Sequence, residues 1–287
     1  VQGISYPGRD ERRNLSLLFK RTSPLFHIGL LHANVGTDTG HESYAPCNLN
    51  DLLKPEMDYW ALGHVHRQSV LSPSFPCIVY PGNTQGRHIR ETGEKGCFLV
   101  TVSDGKVIDL EFHPTDIFRW MIRELRITDL NSEQDIIHAF ENTCDEVVDV
   151  AEGRHAIIRV IFKGRGPLYH RLRDSNRVDD LLDGFREIGV SYTPSIWVER
   201  LLMDVRPEWD LNEWMTNPDF VGELLRYAHE LLENGGFEEY SKEELPGLFE
   251  DSRVRRHIPF PEGQRLTALI KQAAEMCADA LHEEENP

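Results

Sequence analysis

Apolar residues in this chain recur with two periods, and the switch between them divides it. Up to about residue 114 they come in short, nearly unbroken runs: residues 25–31 (LFHIGLL), 59–62 (YWAL) and 77–80 (CIVY). Such runs are expected of strands buried on both faces of a sheet. Residues 1–6 (VQGISY) alternate like a further strand. Residues 96–102 (GCFLVTV) and 107–112 flank Ser103-Asp104-Gly105-Lys106, and an Asp-Gly pair between alternating runs predicts a β-hairpin.

From residue 116 the period alternates. Residues 118–127 are strand-like. Residues 132–150 carry Ile136, Ile137, Phe140, Val147 and Val148 at helical spacing, with Ser132 as N-cap. Residues 156–162 (AIIRVIF) predict a strand, 178–188 a helix and 196–205 a strand. This order suggests a small α+β module. The remainder is helical. Residues 219–233 and 264–281 each hold an apolar stripe near 3.6 spacing, separated by a connector rich in Gly, Pro and charge around residues 234–261.

Three regions follow: 1–114, 115–206 and 207–287. The 287 residues are 40% hydrophobic and 28% charged, ordinary for a globular chain with a substantial core. No apolar run reaches the roughly 18 residues of a membrane span, so no membrane association is expected. The first residue is Val1 rather than Met, and the sequence opens on a strand, so a preceding segment is expected. The five cysteines form no C-x-x-C pair, which disfavours structural zinc and a disulfide framework and suits a reducing cytoplasm. The net charge of −17 opposes nucleic-acid binding at first sight. However, residues 207–287 contain 19 acidic and 7 basic residues, a net of −12, which leaves −5 for residues 1–206. A metal-dependent site supplies its own local positive charge and does not need a basic surface.

The sharpest chemical signal is Gly63-His64-Val65-His66, directly after the apolar run at residues 59–62. It puts two imidazoles at the carboxyl end of a strand, where open α/β sheets bind ligands. If the segment stays extended, alternation aims His64 and His66 to one side. Leu30-Leu31-His32-Ala33-Asn34 ends a second apolar run in the same way. A single histidine at a strand end is usually structural; His32 together with G-H-x-H points to divalent metal, for which neutral imidazole is the commonest ligand. His27, five residues before His32, falls on the opposite face and reads as core.

Residues 30–36 (LLHANVG), the G-H-V-H at 63–66 and residues 80–87 (YPGNTQGR) resemble the later motifs of the metallophosphoesterase superfamily, in particular its SbcD-like/YhaO-type DNA-repair exonucleases. The resemblance implies an α/β fold: the later half of a metallophosphoesterase β-sandwich, then an α+β capping domain and a helical tail. It implies that His32, His64 and His66 are metal ligands in a two-metal site holding manganese (Mn2+) or another divalent ion, and that the parent protein hydrolyses DNA phosphodiesters. It also implies DNA and an SbcC-like ABC-type ATPase with a coiled coil as partners. The apolar stripes of the tail helices read equally well as packing within their own domain and as docking on that ATPase, and a homodimer is a further candidate. The chain departs from the family in lacking D-x-H, G-D-x-x-D and G-N-H-[DE] segments. The bridging carboxylate and general acid are therefore expected outside it, and the chain alone is expected to hydrolyse little.

Four weaker candidates surround these ligands. His41, in TGHESYAPC, reads equally well as a substrate contact and as an ordinary loop residue. Asn83, Gln85 and Arg87 follow the run at 77–80 and could contact phosphate oxygens, although Pro81-Gly82-Asn83 is also a strong turn signal. Arg154, Lys163, Arg165, Arg171 and Arg173 make the middle region locally basic, either as a phosphate track or as a solvated loop. Two other readings stay open: a metallophosphoesterase acting on a non-DNA phosphate ester, and a non-catalytic module that binds DNA or an ATPase.

Overall fold

The computed structural model describes residues 1–5, 8, 11–36, 44–208, 211–233 and 263–285. Strands form where the apolar runs lie. β1 (Gln2–Ile4), β2 (Ile28–His32), β3 (Tyr59–Gly63), β4 (Ser69–Ser72) and β5 (Cys77–Tyr80) build one sheet in the order β1-β2-β3-β5-β4. All run parallel except β4, which lies antiparallel to β5 at the edge. Parallel strands bring their carboxyl ends to one edge. His32, at the end of β2, is thereby paired with Gly63, at the end of β3.

Two expectations for β2 need correction. The strand starts at Ile28 rather than at residue 25, because Asp58 captures the chain first: its carboxylate accepts the His27 backbone N–H at 2.6 Å. β2 is also not buried on both faces, since Leu30 is 54% exposed. His27 is buried as expected, with Nδ1 2.6 Å from the Leu25 carbonyl.

One face of the sheet carries the main core. Trp60 is fully buried there, donates from Nε1 to the Leu52 carbonyl at 2.9 Å and meets Phe19 edge-on at 4.8 Å. Leu52 belongs to a short helix, α1 (Leu49–Leu53), whose capping box joins Asn48 and Asp51 reciprocally. Against the other face, Tyr59, Cys77 and Val79 pack on Phe98, Val100 and Leu110 of the hairpin β6 (Gly96–Ser103) and β7 (Lys106–Pro114). The hairpin turns at Asp104 and Gly105 with φ of 50° and 71°, the positive values that the Asp-Gly pair predicts.

A second sheet follows, formed by β8 (Phe118–Arg126), β9 (His155–Arg165) and β10 (Ile196–Arg206) in the order β10-β9-β8. Like ends meet like ends. Ile127 N–H donates to the Lys163 carbonyl, Ala156 N–H to Ser195 and Gly166 N–H to Arg206, so the three strands are parallel. α2 (Glu133–Ala151) and α4 (Ser175–Ser191) are the crossovers. Right-handed crossovers place both on one face, and Phe140 and Phe185 stack between them at 3.7 Å. Ser132 caps α2, accepting from Asp135 N–H at 3.2 Å while Asp135 accepts in return from Ser132 N–H at 2.8 Å. The expected α+β module is thus a parallel βαβαβ unit; the element order was read correctly, but strand direction is set by crossover geometry and not by local pattern.

Beyond the sheets lie the short helices α3 (Tyr169–Arg173) and α5 (Leu211–Thr216), and the two expected longer ones, α6 (Phe220–Glu233) and α7 (Gly263–Glu285). Val221, Leu225 and Ala278 are buried together, with Trp214, Ala274 and Leu281 packed on them. Arg165 pairs with Asp279 of α7 at 2.7 Å. The connector expected around residues 234–261 lies outside the described residues.

Two compact units can be distinguished: residues 1–125, 136–161 and 178–202 form the first, and residues 126–135, 162–177 and 203–287 the second. All the candidate site residues that are described fall in the first. Among the described residues, no helix is long and apolar enough to cross a membrane.

Candidate metal centre

The site begins where β2 and β3 end. The ladder continues past the strands, with Ala33 N–H donating to the Gly63 carbonyl at 3.3 Å. Tyr80, on β5, holds the chain after His32: its hydroxyl donates to the Ala33 carbonyl at 2.6 Å and accepts from Val35 N–H at 3.1 Å. This brings the rings of His32 and His64 together edge-on, 5.2 Å apart, with Tyr44 5.4 Å from His64 on another side. Gly63 makes the approach possible. A Cβ at that position would lie 2.8 Å from Nδ1 of His32, inside van der Waals contact. A cavity of about 460 Å3, lined by Gly3, Ile4, Ser5, Leu30, Leu31, His32 and Gly63, opens at the same strand ends.

The histidine segment is not extended, contrary to the expected alternation. β3 stops at Gly63, and His64 has φ 101°. A non-glycine residue there is strained by roughly 1–3 kcal/mol, a cost that persists where the surroundings enforce it and that clusters at functional sites. The turn carries His66 to a different set of neighbours. Its Nδ1 lies 2.7 Å from Oε1 of Glu91. Its carbonyl accepts from Asn83 N–H at 3.3 Å and from Nζ of the buried Lys95 at 3.4 Å.

Electrostatics keep His32 in the form a metal requires. Its pKa is pushed below the ordinary histidine value, first by desolvation and then by the charge of His66. A neutral imidazole at neutral pH is the ligand-competent state.

Sequence reasoning missed Glu91, which is only 6% exposed. Its Oε2 accepts from Asn83 Nδ2 at 2.8 Å and from Arg87 N–H at 2.9 Å, while Oε1 faces His66. Burial alone would raise its pKa, but these hydrogen bonds outweigh burial and hold it at about 2. No sequence spacing announces a carboxylate 25 residues beyond its histidine. Lys95 was missed for the same reason.

The weaker candidates separate. Asn83 and the backbone of Arg87 are tied to Glu91, and the Arg87 guanidinium is exposed, 3.7 Å from that carboxylate. Gln85 uses its amide on the backbone where β8 begins: its oxygen accepts from Ile117 N–H at 2.8 Å and its nitrogen donates to the Phe118 carbonyl at 2.8 Å. His41 lies outside the described residues. Of the basic residues in the middle region, Arg154 reaches Asp116 at 3.1 Å and Arg165 is paired with Asp279.

Among the described residues, no group of three or more His, Cys, Asp or Glu side chains is placed so that it could hold a metal ion. What the described residues offer is narrower: two imidazoles 5.2 Å apart, and a third held by a buried carboxylate. Two buried side-chain oxygens on the framing loops, Oδ1 of Asn34 and Oδ1 of Asn83, accept no hydrogen bond among the described residues. The nitrogen donors suit a transition-metal ion, and the carboxylate behind His66 is the outer-shell partner such ligands usually have.

Comparison with known proteins agrees with this chemistry. Residues 120–206 match the family model described as "Metallophosphoesterase YhaO, middle domain". Over 223 residues the chain is 33% identical to an uncharacterized metallophosphoesterase, YhaO, of Bacillus subtilis (strain 168). Both matches support the metallophosphoesterase family. The alignment takes in 77% of this chain and 53% of that protein, so the chain spans about half the length of the relative.

Proposed function

We propose that this chain is part of a metal-dependent phosphodiesterase acting on DNA in repair, and that His32, His64 and His66 are its metal ligands. The observation that carries the reading is the convergence of His32 and His64, 5.2 Å apart, at the carboxyl ends of adjacent parallel strands, with His66 held by a buried carboxylate. In a metallophosphoesterase, bound divalent ions activate water and stabilise the leaving oxygen of a phosphate ester. The part of this chain is narrower. Neutral His32 and the backbone-strained His64 present nitrogen donors. The sequence lacks the family's D-x-H, G-D-x-x-D and G-N-H-[DE] segments, so in this reading the bridging carboxylate and general acid come from elsewhere and this chain alone turns over poorly. Mn2+ is the ion we favour, with other divalent ions as alternatives.

DNA as substrate is favoured by the family resemblance and by the cap-like middle region, of which residues 120–206 match the YhaO middle-domain model. The tail helices, part of whose apolar stripes pack on each other, are candidates for docking on a coiled-coil ATPase partner, a homodimer is a further candidate, and a cytoplasmic setting agrees with the free cysteines. The test is a Mn2+-dependent assay of the longer protein containing this chain. Its substrates are linear duplex DNA, a cyclic nucleotide and a phosphoprotein, compared with a His32→Ala variant. The reading requires DNA cleavage that His32→Ala reduces at least about a hundredfold. Cleavage of the other esters alone would move the substrate class, and no cleavage of any would favour a non-catalytic binding module.

A further inference from the structure

We infer that Glu91 is a positioning residue: it fixes the proton of His66 on Nδ1 and thereby keeps Nε2 as the nitrogen available to metal. This rests on the proposed metal site, and it adds a residue and a proton location to it.

The argument follows from which groups can only donate. The backbone N–H of Arg87 meets Oε2 of Glu91 at 2.9 Å and cannot turn round to accept. The Asn83 amide nitrogen meets the same oxygen at 2.8 Å. Oε1 is left to face Nδ1 of His66 at 2.7 Å. An ionised carboxylate only accepts, so the contact requires a proton on Nδ1. In the neutral form of the ring that proton is the only one, so the lone pair sits on Nε2. In water the neutral ring prefers the opposite tautomer, so the protein must enforce this one, and a carboxylate behind a metal-binding histidine does so. Asn83 and Arg87, read from the sequence as candidate phosphate contacts, thereby acquire a second role. They fix the carboxylate that orients the ring.

The same geometry makes the conservative substitution informative. In Glu91→Gln the fixed Arg87 N–H still needs an acceptor, so the amide oxygen takes the Oε2 position. The amide nitrogen, a donor, then faces His66 Nδ1. Shape and most hydrogen bonds survive, but the His66 proton is driven to Nε2, the nitrogen meant for metal. A merely structural glutamate would not have this effect.

The experiment uses the present chain labelled with 15N-histidine, in which the His66 ring signals are assigned by their loss in His66→Gln. The ring nitrogen shifts report the tautomer without metal, and Mn2+ affinity is measured separately by calorimetry on the same variants. The expected result is an Nδ1–H ring in the unmodified chain and an Nε2–H ring in Glu91→Gln at nearly unchanged melting temperature. Mn2+ affinity should drop by about 10- to 100-fold. Glu91→Ala, which withdraws the acceptor altogether, should also return the ring to the Nε2–H form. An Nε2–H ring in the unmodified chain, or an Nδ1–H ring that persists in Glu91→Gln, would overturn the inference. A tautomer that inverts with no loss of Mn2+ affinity would overturn it as well. If the unmodified chain and a His64→Ala, His66→Ala double variant bind Mn2+ equally, the metal-site reading fails, whereas the tautomer measurement still decides what Glu91 does to His66.

Discussion

The two parallel sheets of this protein are built by the same rules and finished differently. The βαβαβ unit is locally consistent. Its first crossover helix has a capping box, two phenylalanines stack between its helices, and Ile158, Val160 and Phe162 of its central strand are fully buried. The carboxyl edge of the five-stranded sheet and the loops that follow it break several of those rules. His64 sits at φ 101°, Lys95 and Glu91 are buried as charges, and two asparagine oxygens lack hydrogen-bond donors among the described residues. Rule-breaking of this kind persists where function requires it and surrounding structure supplies the stability.

The contrast can be tested from both sides. Phe140→Ala removes a fully buried ring from the consistent region and should cost about 3–5 kcal/mol in chemical denaturation. Mn2+ binding by the surviving folded fraction should be unchanged; coupled loss of affinity would show that the two regions are not independent. Gly63→Ala attacks the other region, since the new Cβ would displace the His32 ring from 2.8 Å. Mn2+ affinity should fall about tenfold by calorimetry while stability changes by only about 1 kcal/mol, and full affinity would mean that His32 is not a ligand.

Smaller in size, though sharper in sign, is the comparison of His64→Gly with His64→Ala. In ordinary positions glycine is the less stable choice by roughly 0.5–1 kcal/mol. At φ 101° the order should reverse, with the glycine variant more stable by about 1 kcal/mol in urea unfolding. The normal order would mean the backbone is not strained there. The smallest effect belongs to the surface of the second sheet. Glu199 is held below its ordinary 4.5, first by its hydrogen bonds to Arg159 and then by the charge of that residue, with desolvation opposing. A depressed carboxyl pKa stabilises the fold above the unfolded value, and that contribution is lost as pH falls below about 4.5. Glu199→Gln should therefore flatten the acid limb of a stability–pH curve by less than about 1 kcal/mol, with no effect at Mn2+ binding; an unchanged limb would discount the pair altogether.

Much of the fold was legible because burial writes itself into the spacing of apolar residues. β3, β5, the β6–β7 hairpin and α2 all fall where those residues recur, and Asp104-Gly105 named its own turn. Strand direction in the βαβαβ unit and the exposure of Leu30 were not legible, because both depend on what lies across the sheet. The placement of His32 at the end of β2 and of His64 directly after β3 was legible from the apolar runs that precede them. The backbone turn at His64 and the pairing of His66 with Glu91 were not: a strained φ leaves no composition signature, and a hydrogen bond between residues 66 and 91 depends on two loops meeting at the sheet edge. Asn83 and Gln85 were noticed as polar residues near the site. Their hydrogen bonds tie them to Glu91 and to β8, a distinction that only geometry can draw.

The central claim is that the three histidines form a metal-binding half-site. Mn2+ titration by calorimetry, comparing this chain with its His64→Ala, His66→Ala double variant, tests it most directly. The account predicts measurable binding by the unmodified chain that disappears in the variant. Equal binding by both, or none by either, would contradict it and leave the chain as a βαβαβ unit and helical tail whose role is to dock on other molecules.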